Sequence, residues 1–152
     1  MRLDIDDGTQ AFISSHRVGR LATADEDLQP AVIPICYVFD GEHIYSPIDE
    51  KPKSVPASSL KRVRNIERNS QVALVIDDYS EDWTRLAYVL IIGAAEIVLP
   101  GKAGEEASKE DPEHARAVEL LREKYPQYRS MKIDERPMIK IRPTRIKRWG
   151  AR

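Results

Sequence analysis

The sequence predicts a mainly β, α+β domain built as an antiparallel barrel or sandwich. Three observations carry that prediction. About six strand-like segments come in runs, set apart by about three helical ones, and do not alternate strictly with helices as parallel βαβ winding requires. Asp40-Gly41 stands between two apolar segments, a strong signal for a tight hairpin. The apolar segment Leu86 to Leu99 is too long for one flat strand, and Gly93 near its middle marks a bend or bulge of the kind that turns a barrel corner.

The elements follow in order. Asp6 to Ser15 reads as a short helix with Ile5, Phe12 and Ile13 toward one side. Val18 to Thr23 reads as a strand, and the polar stretch Ala24 to Pro30 as a turn. Ala31 to Phe39 is predicted as a single second strand. Its two faces, Ala31, Ile33, Ile35, Tyr37, Phe39 and Val32, Pro34, Cys36, Val38, are both largely apolar, so both need cover. Pro34 cannot donate to a ladder and belongs at an edge, a bulge or an interruption. His43 to Ser46 is the return strand. A proline-rich loop over 47–59 precedes a helix over about Ser58 to Asn69, with Ser58 or Ser59 as cap and Leu60, Val63 and Ile66 as its apolar stripe. Val72 to Ile76 is β-branched and strand-like. Asp77 to Asp82 forms an acidic loop before Trp83. Asp111-Pro112 opens the clearest helix, with Ala117, Val118, Leu121 and Tyr125 inward, and Pro126 stops it. Met138 to Arg142 alternates as a strand, Pro143 interrupts it, and Ile146 to Trp149 resumes the alternation. No repeat or long linker divides the chain, so residues 1–152 are expected to form one domain.

Composition narrows the function. With 41% hydrophobic and 32% charged residues the chain has material for a core and for solubility, which excludes wholesale disorder. The 24 basic residues balance 25 acidic ones, and a coat for nucleic acid or anionic lipid would show a basic excess. No apolar run reaches the ~20 residues that a membrane-spanning helix needs. Acids occupy the start of the chain where a signal peptide would place apolar residues. The single cysteine, Cys36, allows no intrachain disulfide and fits a reducing cytoplasm; inside an apolar strand it reads as a buried structural thiol. The even charge is unevenly placed. Residues 51–68 carry six basic residues against Glu67 alone, and residues 129–152 carry nine against Asp134 and Glu135. Two basic segments in an otherwise acidic chain describe either a local anion site or two solvated faces.

Most resident chemistry is missing from the sequence. There is no glycine-rich dinucleotide fingerprint, no Walker loop and no nucleophile elbow. His16, His43 and His114 are far apart and lack partners at metal-ligand spacing, so no metal site is expected. If the protein is an enzyme, a bound organic cofactor is expected to carry the reaction.

The order of elements resembles the split-barrel flavin-binding proteins related to pyridoxamine 5′-phosphate oxidase. Within that group it is most similar to small proteins that use the deazaflavin coenzyme F-420. The residues that carry the resemblance are Val18-Gly19-Arg20-Leu21-Ala22-Thr23, Pro30 to Gly41 with its hairpin, Ile44-Tyr45-Ser46, Asp49-Glu50-Lys51-Pro52-Lys53, Lys61-Arg62-Val63-Arg64-Asn65-Ile66 and the closing Arg142 to Trp149. The resemblance implies a six-stranded antiparallel split β-barrel with three flanking helices, a homodimer, and two equivalent cofactor sites in its interface. It implies that Ile33, Pro34 and Ile35 line the ring system, that Tyr45 and Ser46 touch the cofactor's polar side chain, and that Lys61 and Arg62 hold phosphate. Trp83 stands where relatives place an aromatic near the ring; a core or interface tryptophan is the alternative. Val32 occupies a position where the oxidase has an arginine, the loop holding Lys51 and Lys53 is longer, and the vitamin-specific substrate residues are not recognisable. Pyridoxamine phosphate oxidation is therefore not expected.

The choice of cofactor rests on charge. Flavin mononucleotide (FMN) carries one phosphate, which two bases serve at about 1.5–3 kcal/mol per charged hydrogen bond. Coenzyme F-420 adds a tail of glutamate carboxylates, and Lys51 and Lys53 with Lys61, Arg62 and Arg64 offer a longer cationic track. The expectation is an F-420-dependent oxidoreductase that passes a hydride to or from a small organic substrate. The alternatives are an FMN enzyme or electron carrier and a cofactor- or haem-binding protein without turnover. Nucleic-acid binding by Lys61 to Arg68 is disfavoured by the charge balance.

Overall fold

The computed structural model describes residues 3–48, 60–101 and 112–151. Ten elements organise them: α1 (Asp7–Ser15), β1 (Gly19–Ala24), β2 (Pro30–Ile35), β3 (Val38–Phe39), β4 (Ile44–Pro47), α2 (Lys61–Arg68), β5 (Gln71–Asp78), β6 (Ala87–Val98), α3 (Glu113–Lys124) and β7 (Met138–Gly150). The strands form one antiparallel sheet in the order β2-β1-β5-β6-β7-β4-β3, curled in the split-barrel manner. There are seven strands where six were expected. The expected strand from Ala31 to Phe39 is broken at Cys36 and Tyr37, so that β2 pairs with β1 at one edge and β3 with β4 at the other. The break has a chemical cause. The Tyr37 N–H leaves the ladder and donates to the Tyr125 hydroxyl at 3.1 Å, while the Tyr37 hydroxyl donates to the Ile13 carbonyl. A backbone donor that leaves a sheet needs another acceptor, and the C-cap residue of α3, Tyr125, supplies it.

Local sequence explains the rest. Asp6 caps α1, its carboxylate accepting from the Thr9 N–H at 2.7 Å. Asp40 closes the β3–β4 hairpin by accepting from the backbone of Glu42 and His43, with Gly41 at φ +97°. The bend in β6 lies at Gly93, as the sequence predicts. Register shifts between Ile92 and Gly93, which face Arg145 and Pro143, so Thr144 is the extra residue and Pro143 sits beside the irregularity. A Cβ on Gly93 would come within 2.5 Å of the Arg142 carbonyl oxygen, so the close crossing of β6 and β7 requires glycine. The expected caps Ser58, Ser59 and Asp111 lie outside the described residues; α2 begins at Lys61 and α3 at Glu113.

Two cores result. The inner face of the sheet, with Leu21, Ile35, Leu74, Ile76, Val89, Ile91, Ile139 and Ile141, is closed by Ile13 of α1 and by Val63 and Ile66 of α2. A second cluster lies on the outer face of β3, β4 and the start of β7, where α3 packs Ala117, Val118 and Leu121 onto Val38, Tyr45 and Met138. Among the described residues, the outer face of β2, β1, β5 and β6 carries no such cover. Along β1, β5 and β6 each buried inward residue alternates with a less buried outward one. Register sets the outward residues in rows: Pro34, Arg20, Val75, Leu90, Lys147 and Val32, Ala22, Ala73, Ile92, Arg145. Val32 is 63% exposed. Of the two apolar faces that the sequence places on the second strand, the described residues cover the first and the Cys36–Val38 end of the other, leaving Val32 and Pro34 exposed.

Candidate functional site

The candidate residues from the sequence fall into three places. Ile33, Pro34 and Ile35 end β2, an edge strand bonded to β1 alone. Ile33 and Ile35 turn toward the inner core, and Pro34 is exposed on the outer side. An edge is where a strand proline is tolerated, and it leaves the backbone of β2 open on one side. Ser46 lies beside this segment: its hydroxyl donates to the Cys36 carbonyl at 2.7 Å, across the break between β2 and β3. Cys36 itself is half-buried, against the second cluster.

Tyr45, next to Ser46 in the chain, points the other way. It lies under α3, and its hydroxyl donates to Glu113 Oε1 at 2.8 Å. Glu113 also binds the Lys140 ammonium, which reaches Glu96 at 3.6 Å. Burial opposes ionisation of Glu113, but the bonds from Lys140 and Tyr45 outweigh it and hold the carboxyl below its ordinary value. Burial opposes the charge on Lys140 as well, and Glu113 outweighs it. Burial, reinforced by the bond to Glu113, raises the Tyr45 hydroxyl far above the usual tyrosine range. A cavity of about 320 Å³ beside this network is lined by Asp40, Tyr45, Glu113 and Arg116. The sequence does not disclose the network, because its members are 68 and 27 residues apart and meet only when α3 lands on β4.

Lys61 and Arg62 open α2. Lys61 is exposed and Arg62 half-buried. The helix has Leu60 at its N-cap with no side-chain cap bond, so the first-turn N–H groups are left to other acceptors. Asn65 bonds the Thr23 hydroxyl at 3.0 Å and Arg68 pairs with Glu26 at 2.9 Å, which anchors the later part of α2 on β1 and the β1–β2 turn. Lys51 and Lys53 lie outside the described residues. Trp83 stands on a 3-10 turn, Trp83–Arg85, and is 72% exposed, so it is no core tryptophan.

Two features had no sequence signal. Lys124, at the end of α3, buries its ammonium without a hydrogen-bond partner among the described residues, 4.1 Å from the centre of the Tyr37 ring. Burial lowers its pKa to about 8. The second is a groove of about 1040 Å³ between α1 and the paired ends of β5, β6 and β7. Among the described residues no three His, Cys, Asp or Glu side chains gather as a metal site, and no helix is long and apolar enough to cross a membrane.

No curated protein matches the sequence significantly. Solved structures do match the fold. A conserved hypothetical protein of Mycobacterium tuberculosis superposes with a TM-score of 0.72 at 23% identity, covering 98% of this chain and 86% of that one. An F-420 reductase gives 0.64 at 22% identity, covering 94% and 98%. HutZ, the haem storage protein from Vibrio cholerae, gives 0.66 at 16% identity, covering 97% and 96%. The family model described as pyridoxamine 5′-phosphate oxidase matches residues 5–150. With the split barrel and nearly the whole chain accounted for by that match, the chain belongs to the pyridoxamine 5′-phosphate oxidase family.

Proposed function

We propose that this chain is an F-420-dependent oxidoreductase that works as a homodimer, its cofactors held where two copies meet. The observation that carries the reading is the uncovered apolar sheet face, Val32, Pro34, Ala22, Ala73, Val75, Leu90 and Ile92, running up to the open edge of β2. A second copy that buries this face brings a surface against the backbone of Ile33 to Ile35 and creates a crevice there. Burial of apolar area at about 25 cal/mol per Å² supplies the drive.

The residues present fit the group. The uncapped start of α2, with Lys61 exposed on its first turn, is suited to a phosphodiester. Arg64, exposed on α2, adds to this positive charge, and a polycarboxylate tail, which FMN lacks, would use it. Bound there, the deazaflavin supplies the hydride; the protein positions the ring against β2, screens it from water and sets the approach of a small electron-poor substrate. The name of one structural neighbour, an F-420 reductase, supports this cofactor.

Titration decides between cofactors. Purified protein is expected to quench the fluorescence of added F-420 saturably and to bind FMN at least tenfold more weakly. The double variant Lys61→Ala, Arg62→Ala is expected to lose at least tenfold in F-420 affinity with an unchanged circular dichroism spectrum. Equal affinity in that variant removes both residues from the site. A yellow protein with a flavin spectrum and no response to F-420 replaces the reading with an FMN enzyme. A haem-binding role without turnover is indicated by a Soret band on haem addition with no response to F-420 or FMN; the name of HutZ, a haem storage protein, is the reason to test it.

A further inference from the structure

The groove beside α1 belongs to none of the residues assigned above. One wall is the flank of α1 that presents Gly8, Ala11, Phe12 and Ser15; the other is Asp78, Ala87, Arg148 and Gly150 at the strand ends, with Arg85 at the rim. Its volume, about 1040 Å³, is at the upper end of small-molecule sites.

Its charges are unequally engaged. Asp6 is taken up as the cap of α1, and its bond from the Thr9 N–H holds its carboxyl below the ordinary value. Asp78 is taken up by His16, whose Nε2 lies 2.6 Å from Oδ1. The two cations are less fully engaged. Arg85 makes no ion pair or side-chain hydrogen bond with a described residue. Arg148 forms a long ion pair with Asp6, 3.8 Å, and lies 6.0 Å from the centre of the Phe12 ring. Gly8 makes room for that guanidinium: a Cβ there would come within 2.6 Å of Arg148 Nη1. The groove thus offers the exposed Arg85 guanidinium, the Arg148 guanidinium held loosely by Asp6, and among small residues the Phe12 ring, stacked on His16 at 4.2 Å, with Trp149 also in the lining. We propose that it is a binding site for a small planar organic anion, an aromatic or heteroaromatic carboxylate whose ring packs on Phe12 while its charge meets Arg148 and Arg85. Guanidinium suits the ligand because its planar fork matches a carboxylate with two parallel bonds.

The test uses the full chain and 2-naphthoate as probe, followed by backbone amide shifts in nitrogen-15 spectra. Saturable shifts are expected at Gly8, Ser15, Gly150 and Ala151. The uncharged analogue 2-naphthalenemethanol is expected to bind at least tenfold more weakly. Arg85→Ala, at an exposed position, should weaken naphthoate at least fivefold, and Ala11→Trp, which fills the groove from an exposed helix position, should abolish the shifts. Three results would overturn the proposal: equal affinity for the uncharged analogue, unchanged binding in Arg85→Ala and Ala11→Trp, or shifts confined to the outer sheet face around Val32 and Leu90. The last places the probe on the face assigned to the second copy and leaves the groove without a ligand.

Discussion

The outer surface of one sheet has two different fates in this protein. Over β3, β4 and the start of β7 it is covered by α3, which brings Leu121 to full burial and ties Tyr45, Glu113 and Lys140 into one network. Over β2, β1, β5 and β6 the described residues leave it bare, with valine, leucine, isoleucine and alanine facing outward. In the covered part Glu113 pairs with Lys140 and Arg122 with Asp134, while the buried Lys124 ammonium finds no hydrogen-bond partner among the described residues. The bare part carries little charge at its centre, Arg20 being paired with Asp77 at 2.9 Å, and basic residues, Arg145 and Lys147, along its β7 side. An apolar centre with a charged border is the composition of an interface rather than of a solvated wall. The difference teaches that the described residues close one half of the outer surface and leave the apolar centre of the other half exposed.

The sharpest way to separate the halves is to damage each. Leu121→Ala in the covered half is expected to cost about 2–5 kcal/mol in chemical denaturation, as a cavity in a closed core does. Leu90→Asp in the bare half is expected to leave a folded monomer and to weaken self-association at least a hundredfold by light scattering. If Leu90→Asp instead unfolds the chain while its oligomeric state follows wild type, the bare half is core and the contrast fails.

Smaller effects sharpen the account of the covered half. Glu113→Gln is expected to lower stability by about 1 kcal/mol at neutral pH, since the charged bonds it loses are partly solvated. The sign with pH is definite. Because the folded protein holds the Glu113 carboxyl below its ordinary value, its contribution is full above the unfolded pKa and is lost as pH falls through the folded one. Wild type should therefore lose its advantage over Glu113→Gln on acidification, in parallel thermal melts. Lys124 has the opposite character. The unfolded amine keeps its proton to about 10.5 and the folded one releases it at about 8, so the unfolded state holds more protons between them. Stability should rise across that window in wild type and not in Lys124→Met. At neutral pH the substitution should raise the melting midpoint by about 2–4 °C, the change that about 1 kcal/mol makes in a chain of this size. A lower midpoint would mean that the tyrosine rings more than compensate the buried ammonium.

How much of this was legible follows from how local each cause is. The Asp40-Gly41 hairpin, the bend at Gly93 and the arrest of α3 before Pro126 rest on residues within a few positions of the effect, and each is where the sequence predicts it. The split of the second strand is different. The run from Ala31 to Phe39 is uniformly apolar, and only Tyr125, 88 residues away, supplies the acceptor that takes Tyr37 out of the ladder. Tyr45 and Ser46 show the same limit: adjacent in sequence, they face opposite sides of β4, and α3 claims one of them.

The sequence by itself determined the antiparallel class, the turns, and a second strand that needs cover on both sides, because periodicity and turn chemistry act over a few residues. Tertiary structure alone decided which side is covered, which tyrosine is engaged by α3, and where two arginines face a groove with its carboxylates already bound. Those outcomes depend on which distant surfaces meet, and no short-range pattern encodes the meeting.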